Sequence, residues 1–175
     1  MRLSFAVSLT LAAAALAKSE TMCISVYEEV PPEALADAAA LSAAPDEQCY
    51  AFEDAVMGAF FDAGHIATNA RIMLGTPSLE PYSSLVTEAK DGGAAWLLSF
   101  TLGFGESEAK PGIRYIQVVK WKILELSPRS RKMEGILKAS NLKGTKPPAN
   151  LEEARSFASA LGSACARDAL KAIAW

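Results

Sequence analysis

The stretch from Ala94 to Ser140 constrains this chain more than any other, because it reads as three successive strands. Ala94 to Phe104 sets Trp96, Leu98, Phe100, Leu102 and Phe104 on one face and Leu97, Ser99, Thr101 and Gly103 on the other. After the polar loop Gly105 to Gly112, the run Ile113 to Leu126 alternates, with Ile113, Tyr115, Val119, Trp121 and Ile123 facing inward and Arg114, Lys120 and Lys122 outward. The turn Ser127-Pro128-Arg129-Ser130 then returns the chain along Lys132 to Ser140, where Met133, Gly135, Leu137 and Ala139 oppose Glu134, Ile136 and Lys138. A sheet with one such apolar face must be covered, so helices are required elsewhere.

The flanking sequence supplies them. Met22 to Val30 reads as a first strand ending at Pro31-Pro32, and the Ala-rich stretch that follows allows a loose surface helix from Glu33 to Leu41. Asp46 is placed to cap a helix carrying Cys49, Phe52, Val56, Phe60 and Ala63 on one face, closed by Gly64. Ile66 to Leu74 reads as an edge strand, and Ser78 to Lys90 as a helix capped by Ser78. Asn150 with Glu153 forms a capping box for a last helix whose buried face is Leu151, Ala154, Ala158, Leu161, Cys165 and Ala169. The expected fold is α/β, a single mixed sheet of about five strands with a long C-terminal hairpin, one face covered by about three helices. At 175 residues, 51% hydrophobic and 21% charged, the chain has room for one core, and no internal repeat is visible.

Residues 1–17 read as a signal peptide: Arg2, an apolar run of about 14 residues, then Ala15-Leu16-Ala17 before Lys18, too short for the roughly 20 residues that span a bilayer. The expectation is an exported, periplasmic or secreted protein, its mature domain spanning 18–175. No lipid anchor is expected, since Cys23 follows Glu20-Thr21-Met22 rather than a box of small residues. Export permits disulfides, and Cys23 with Cys49 is the pair to expect, stabilising by roughly 3 kcal/mol. Cys165 reads as a buried helix residue.

Sites of chemistry are sparse. The single histidine, His65, follows a helix end, and with three well-separated cysteines it offers no metal-ligand spacing, so neither metal nor cofactor is expected. There is no Gly-x-Ser-x-Gly elbow and no phosphate loop. The acidic pairs Glu28-Glu29 and Glu53-Asp54 are sequence neighbours whose side chains diverge, and they read as solvated surface rather than a glycosidase acid and base. Charge, by contrast, is strongly segregated. Lys18 to Ala109 holds three basic and 15 acidic residues, a balance of −12, while Lys110 to Lys146 holds ten basic and two acidic, a balance of +8. Arg114, Lys120, Lys122, Arg129, Arg131, Lys132 and Lys138, followed by Lys143 and Lys146, mark the hairpin as a basic plate suited to an acidic protein, anionic lipid or cell-wall polymer. The competing use of such lysines is to keep a sheet edge from aggregating. Nucleic acid is a poor partner for an acidic, exported chain.

The early strand Ile24 to Val30, the helix Cys49 to Ala63, the strand opening Gly93-Ala94-Ala95-Trp96-Leu97-Leu98, the hairpin Val118 to Leu126 through Glu134-Gly135, and the final helix together resemble the envelope α/β domain shared by the N-terminal domain of TolB, CsgG and LpoB. The turn Ser127-Pro128-Arg129-Ser130 departs from the Thr-Gly turn of that group. The resemblance implies no catalytic residue. It implies an adaptor, activator or assembly subunit: a non-enzymatic accessory module of the bacterial envelope that binds a protein partner. The alternatives are a cell-wall glycan hydrolase using dispersed carboxylates, and a structural subunit that forms homo-oligomers.

Overall fold

The computed structural model describes residues 20–30, 45–127 and 130–173. The leader, the Glu33 to Leu41 helix, Pro128 and Arg129 lie outside the described residues. Strands β1 (Thr21–Glu28), β2 (Ile66–Asn69), β3 (Met73–Leu74), β4 (Trp96–Glu106), β5 (Arg114–Glu125) and β6 (Lys132–Lys138) form one mixed sheet. Its order is β2-β1-β4-β5-β6, with β3 also on β1. β1 runs parallel to β2, β3 and β4, whereas β4, β5 and β6 form an antiparallel meander. The helices are α1 (Glu47–Asp62), α2 (Ser84–Asp91) and α3 (Leu151–Ile173). This is the α/β class expected from the alternation of the strands.

Helix ends follow from local chemistry. The Asp46 carboxylate accepts the Gln48 N–H at 2.9 Å, and α1 ends in a Schellman motif, with His65 N–H donating to Phe60 O and Gly64 N–H to Phe61 O. Gly64 takes φ +85°, which only glycine adopts at little cost. In the α3 capping box the Glu153 N–H donates to Asn150 Oδ1 at 2.8 Å, while Asn150 Nδ2 donates back to Glu153 Oε1 at 2.7 Å. The second helix begins later than the sequence suggests. Ser83, not Ser78, is the cap, its hydroxyl accepting from Val86 N–H and donating to Ser78 O. Pro81 disfavours helical geometry at Glu80, so the chain turns before it coils. The expected edge strand Ile66 to Leu74 is likewise broken into β2 and β3.

Alternation in β1 and β4 sorts the core into two parts. Met22, Ile24, Val26, Trp96, Leu98, Phe100 and Leu102 face α1 and α3, with Phe52 meeting Phe100 edge-on at 5.4 Å, a pairing worth about 1 kcal/mol beyond its buried area. Cys23, Tyr27, Leu97 and Leu124 face the other way, onto Leu85, Val86 and Ala89 of α2. The expectation that all helices cover one face is therefore corrected: α1 and α3 share the front, and α2 lies on the back. The same alternation overturns the Cys23–Cys49 disulfide. Cys23 packs behind the sheet and Cys49 in front of it, and all three cysteines are free and buried.

The two front helices run parallel, with Glu47 paired to Arg155 and Ser159 Oγ donating to Ala51 O at 3.3 Å. They approach closely at Gly162, where a Cβ would collide with the Phe52 carbonyl. Gly162→Ala should therefore destabilise the domain: overpacking against backbone costs about 1–3 kcal/mol, more than the roughly 1 kcal/mol gained in helix propensity. Urea unfolding of the variant checks this. Thiol titration of the denatured, unreduced protein should find all three cysteines reactive, a bridge between Cys23 and Cys49 being excluded by the intervening sheet.

Candidate binding face

The basic residues of the hairpin are divided by a bulge. β4 and β5 pair in register from Trp96↔Glu125 to Gly103↔Val118, after which Phe104 faces Ile116 and Gln117 is left without a counterpart. That extra residue sends Arg114 to the helix side, where its guanidinium sits 3.7 Å from Glu28 and 5.2 Å above the Phe104 ring. Arg114 therefore does not share a face with Lys120 and Lys122, contrary to the simple alternation of the sequence. Arg131 also leaves the group, bonding Glu125 at 2.7 Å and lying over the Trp96 ring at 5.1 Å. Arg129 lies outside the described residues.

Lys120, Lys122, Lys132 and Lys138 do come together. In the β5–β6 register Lys122 faces Glu134, Lys120 faces Ile136, Val118 faces Lys138 and Leu124 faces Lys132, all on the back of the sheet. Lys120 bonds Glu29, the residue after β1, at 2.6 Å. Among the described residues Lys122, Lys132 and Lys138 form no ion pair, and all three are exposed. Ile136 stands between them, 63% exposed, an apolar side chain without cover. Residues 77–80, leading into α2, rise beside this surface and with Lys122, Lys132 and Glu134 enclose a concavity of about 650 Å³. A smaller hollow of about 360 Å³ opens at Lys120, Lys122, Glu134 and Ile136. Alternation places Ile136 on this face, but its position as the exposed apolar centre of the plate carries no signal in sequence alone.

The acidic pairs are less uniformly solvated than expected. Glu28 and Glu53 are buried, whereas Glu29 and Asp54 remain at the surface. Glu28 accepts the Asp46 N–H at 3.0 Å beside Arg114, which explains its burial. Glu53 accepts from Asn69 Nδ2 at 3.2 Å through one oxygen, and its other oxygen has no partner; burial pushes its carboxyl up, against the lowering influence of Asn69. Burial also pushes up the thiols of Cys23 and Cys49, helped by the charges of Glu88 and Glu28 respectively, and raises that of Cys165 to about 12. Hydrogen bonding from Arg131 lowers the Glu125 carboxyl. Among the described residues no group of three or more His, Cys, Asp or Glu is arranged to hold a metal ion, and no helix is long and apolar enough to cross a membrane.

The chain matches no family model and no curated protein. Among solved structures it is similar to a PelC dodecamer from Paraburkholderia phytofirmans in two crystal forms. One, of a point variant, is 17% identical with a TM-score of 0.44, covering 83% of this chain and 84% of that one. The other is 16% identical with a TM-score of 0.41, covering 86% of each.

Glu53 yields a prediction with a definite sign. Its folded carboxyl keeps its proton to higher pH than the unfolded one, so the folded state binds more protons in that interval and stability falls as pH rises through it. Glu53→Gln should raise stability at pH 7 by about 1 kcal/mol, the cost of an incompletely satisfied buried group, and leave it unchanged below the ordinary carboxylate range. Thermal unfolding at the two pH values checks both halves.

Proposed function

We propose that this chain is a non-enzymatic, exported accessory module of the bacterial cell envelope that binds a protein partner through the back of the β5–β6 hairpin. The observation that carries the reading is that, among the described residues, no helix covers this part of the sheet. The front packs on α1 and α3 and the back of β1 and β4 on α2, but Lys120, Lys122, Lys132 and Lys138 surround the exposed Ile136 in the open. An apolar centre with a mainly basic rim, interrupted here by Glu134, is the anatomy of a protein interface, with the charges steering an acidic partner and the apolar group anchoring it.

Export rests on the pattern of residues 1–17. The resemblance to the TolB, CsgG and LpoB group, whose members look like adaptors, activators or assembly subunits, supports the same role. The non-enzymatic reading is supported by the carboxylates: Glu28 and Glu29 point to opposite sides of the sheet, toward Arg114 and Lys120 respectively, and Glu53 is buried beside Asn69. None of these arrangements sets two carboxyls across a cleft, as glycan hydrolysis requires.

A photo-reactive residue placed at position 122 in intact cells should capture one envelope protein repeatedly, while the same residue at Asp54, exposed on α1, should not. Lys132→Glu should weaken that capture without lowering the melting temperature. Recovery of only lipid, glycan or further copies of this chain from position 122 would contradict the proposal.

A further inference from the structure

β6 is the last strand of the sheet, and its outer edge has no strand beside it among the described residues. Which of its backbone groups face that edge follows from the ladder. Glu125 N–H donates to Arg131 O, so in the antiparallel register the bonded pairs recur at Ile123↔Met133, Trp121↔Gly135 and Val119↔Leu137. The N–H and C=O groups of Lys132, Glu134, Ile136 and Lys138 therefore point outward, away from β5. These are the residues whose side chains form the plate on the back of the sheet. Open backbone groups and readable side chains thus belong to the same four positions.

We infer that this edge accepts an extended acidic segment of the partner as an added antiparallel strand, an inference that rests on the protein-binding reading above. In the bonded pairs of such a strand, side chains lie directly opposite one another about 5.5 Å apart between Cα atoms. The edge consequently specifies an alternating sequence: acidic opposite Lys138, apolar opposite Ile136, basic opposite Glu134 and acidic opposite Lys132. The intervening residues lie on the front, beside Leu137, Gly135 and Met133, and are apolar or β-branched. A second copy of β6 meets this specification only in part. Antiparallel pairing centred on Gly135 sets Lys132 against Lys138, a like-charge contact, and pairing centred on Ile136 sets Glu134 against Lys138 but leaves Lys132 facing Ser140, past the end of β6, with no acidic partner. Strand addition of this kind draws affinity from the main chain and specificity from alternate side chains.

The probe is the capped peptide acetyl-Glu-Val-Val-Thr-Lys-Val-Glu-amide, compared with its charge-exchanged form acetyl-Lys-Val-Val-Thr-Glu-Val-Lys-amide. Amide hydrogen exchange is followed by NMR in the mature chain. At nine-tenths occupancy by the first peptide, the amides of Lys132, Glu134, Ile136 and Lys138 should slow by about tenfold, and the second peptide should leave them unchanged. The Lys132→Glu/Lys138→Glu double variant should reverse that preference, which keeps the test informative should any single variant fold poorly. Glu134→Pro removes an outward N–H without breaking the ladder to β5, and should abolish protection. Equal protection by both peptides, or none by either, would overturn the inference. In cells, loss of the cross-link from position 122 on Lys132→Glu but not on Glu134→Pro would overturn strand addition while leaving the binding face standing. A cross-link indifferent to both would remove the two together.

Discussion

The parallel pairing of β1 with β4 is the constraint on which the rest of the structure depends. Both strands are buried on both faces over most of their length, and β1 carries Ser25 fully buried opposite Ser99. Such a pair must be covered from two sides. The front is closed by α1 and α3, which approach closely because Gly162 presents no side chain to the Phe52 carbonyl. The back is closed by α2, which has only eight residues and reaches across Cys23, Tyr27, Leu97 and Leu124. Past Leu124 the back of the β5–β6 hairpin has no helix over it among the described residues. The exposed lysine plate is thus a consequence of a short helix on a wide sheet.

That geometry also accounts for how charge is distributed. Where basic residues approach the covered part of the fold they are neutralised locally, Arg114 by Glu28, Arg131 by Glu125 and Lys120 by Glu29. Where the cover ends, Lys122, Lys132 and Lys138 stand exposed around Ile136, with Glu134 as the one acidic residue of β6 on that face. The net positive charge of the hairpin segment therefore overstates the field of its surface. What remains is smaller but concentrated on one face, which is the arrangement that steers an acidic partner to a defined patch rather than to the whole molecule.

Much of this was legible in the sequence because it is encoded locally. The caps Asp46 and Asn150 with Glu153, the Gly64 stop, and the alternation of β4, β5 and β6 are each specified within a few residues. What escaped depends on neighbours distant in sequence. The bulge at Gln117 exists only in relation to Gly103 and Phe104 of β4, and it alone moves Arg114 away from Lys120. The side of the sheet taken by α2 is decided by which face β1 and β4 leave open, and the same fact separates Cys23 from Cys49. Glu28 and Glu53 look solvated in isolation, and only the positions of Arg114, Asp46 and Asn69 reveal why they are buried. The shared face of the four lysines is legible because alternation is local; their apolar centre at Ile136 acquires meaning only because α2 stops short of it.

On the proposed function, the back of the hairpin is covered by a protein in the cell and bare in isolation. The most direct measurement is lysine footprinting: brief amine acylation of intact cells and of the purified mature chain, with modification read at each lysine by mass spectrometry. The account predicts that Lys122, Lys132 and Lys138 lose most of their reactivity in cells relative to the purified chain, while Lys90 on α2 and Lys171 on α3 keep theirs. Equal reactivity of all five in both settings would contradict it.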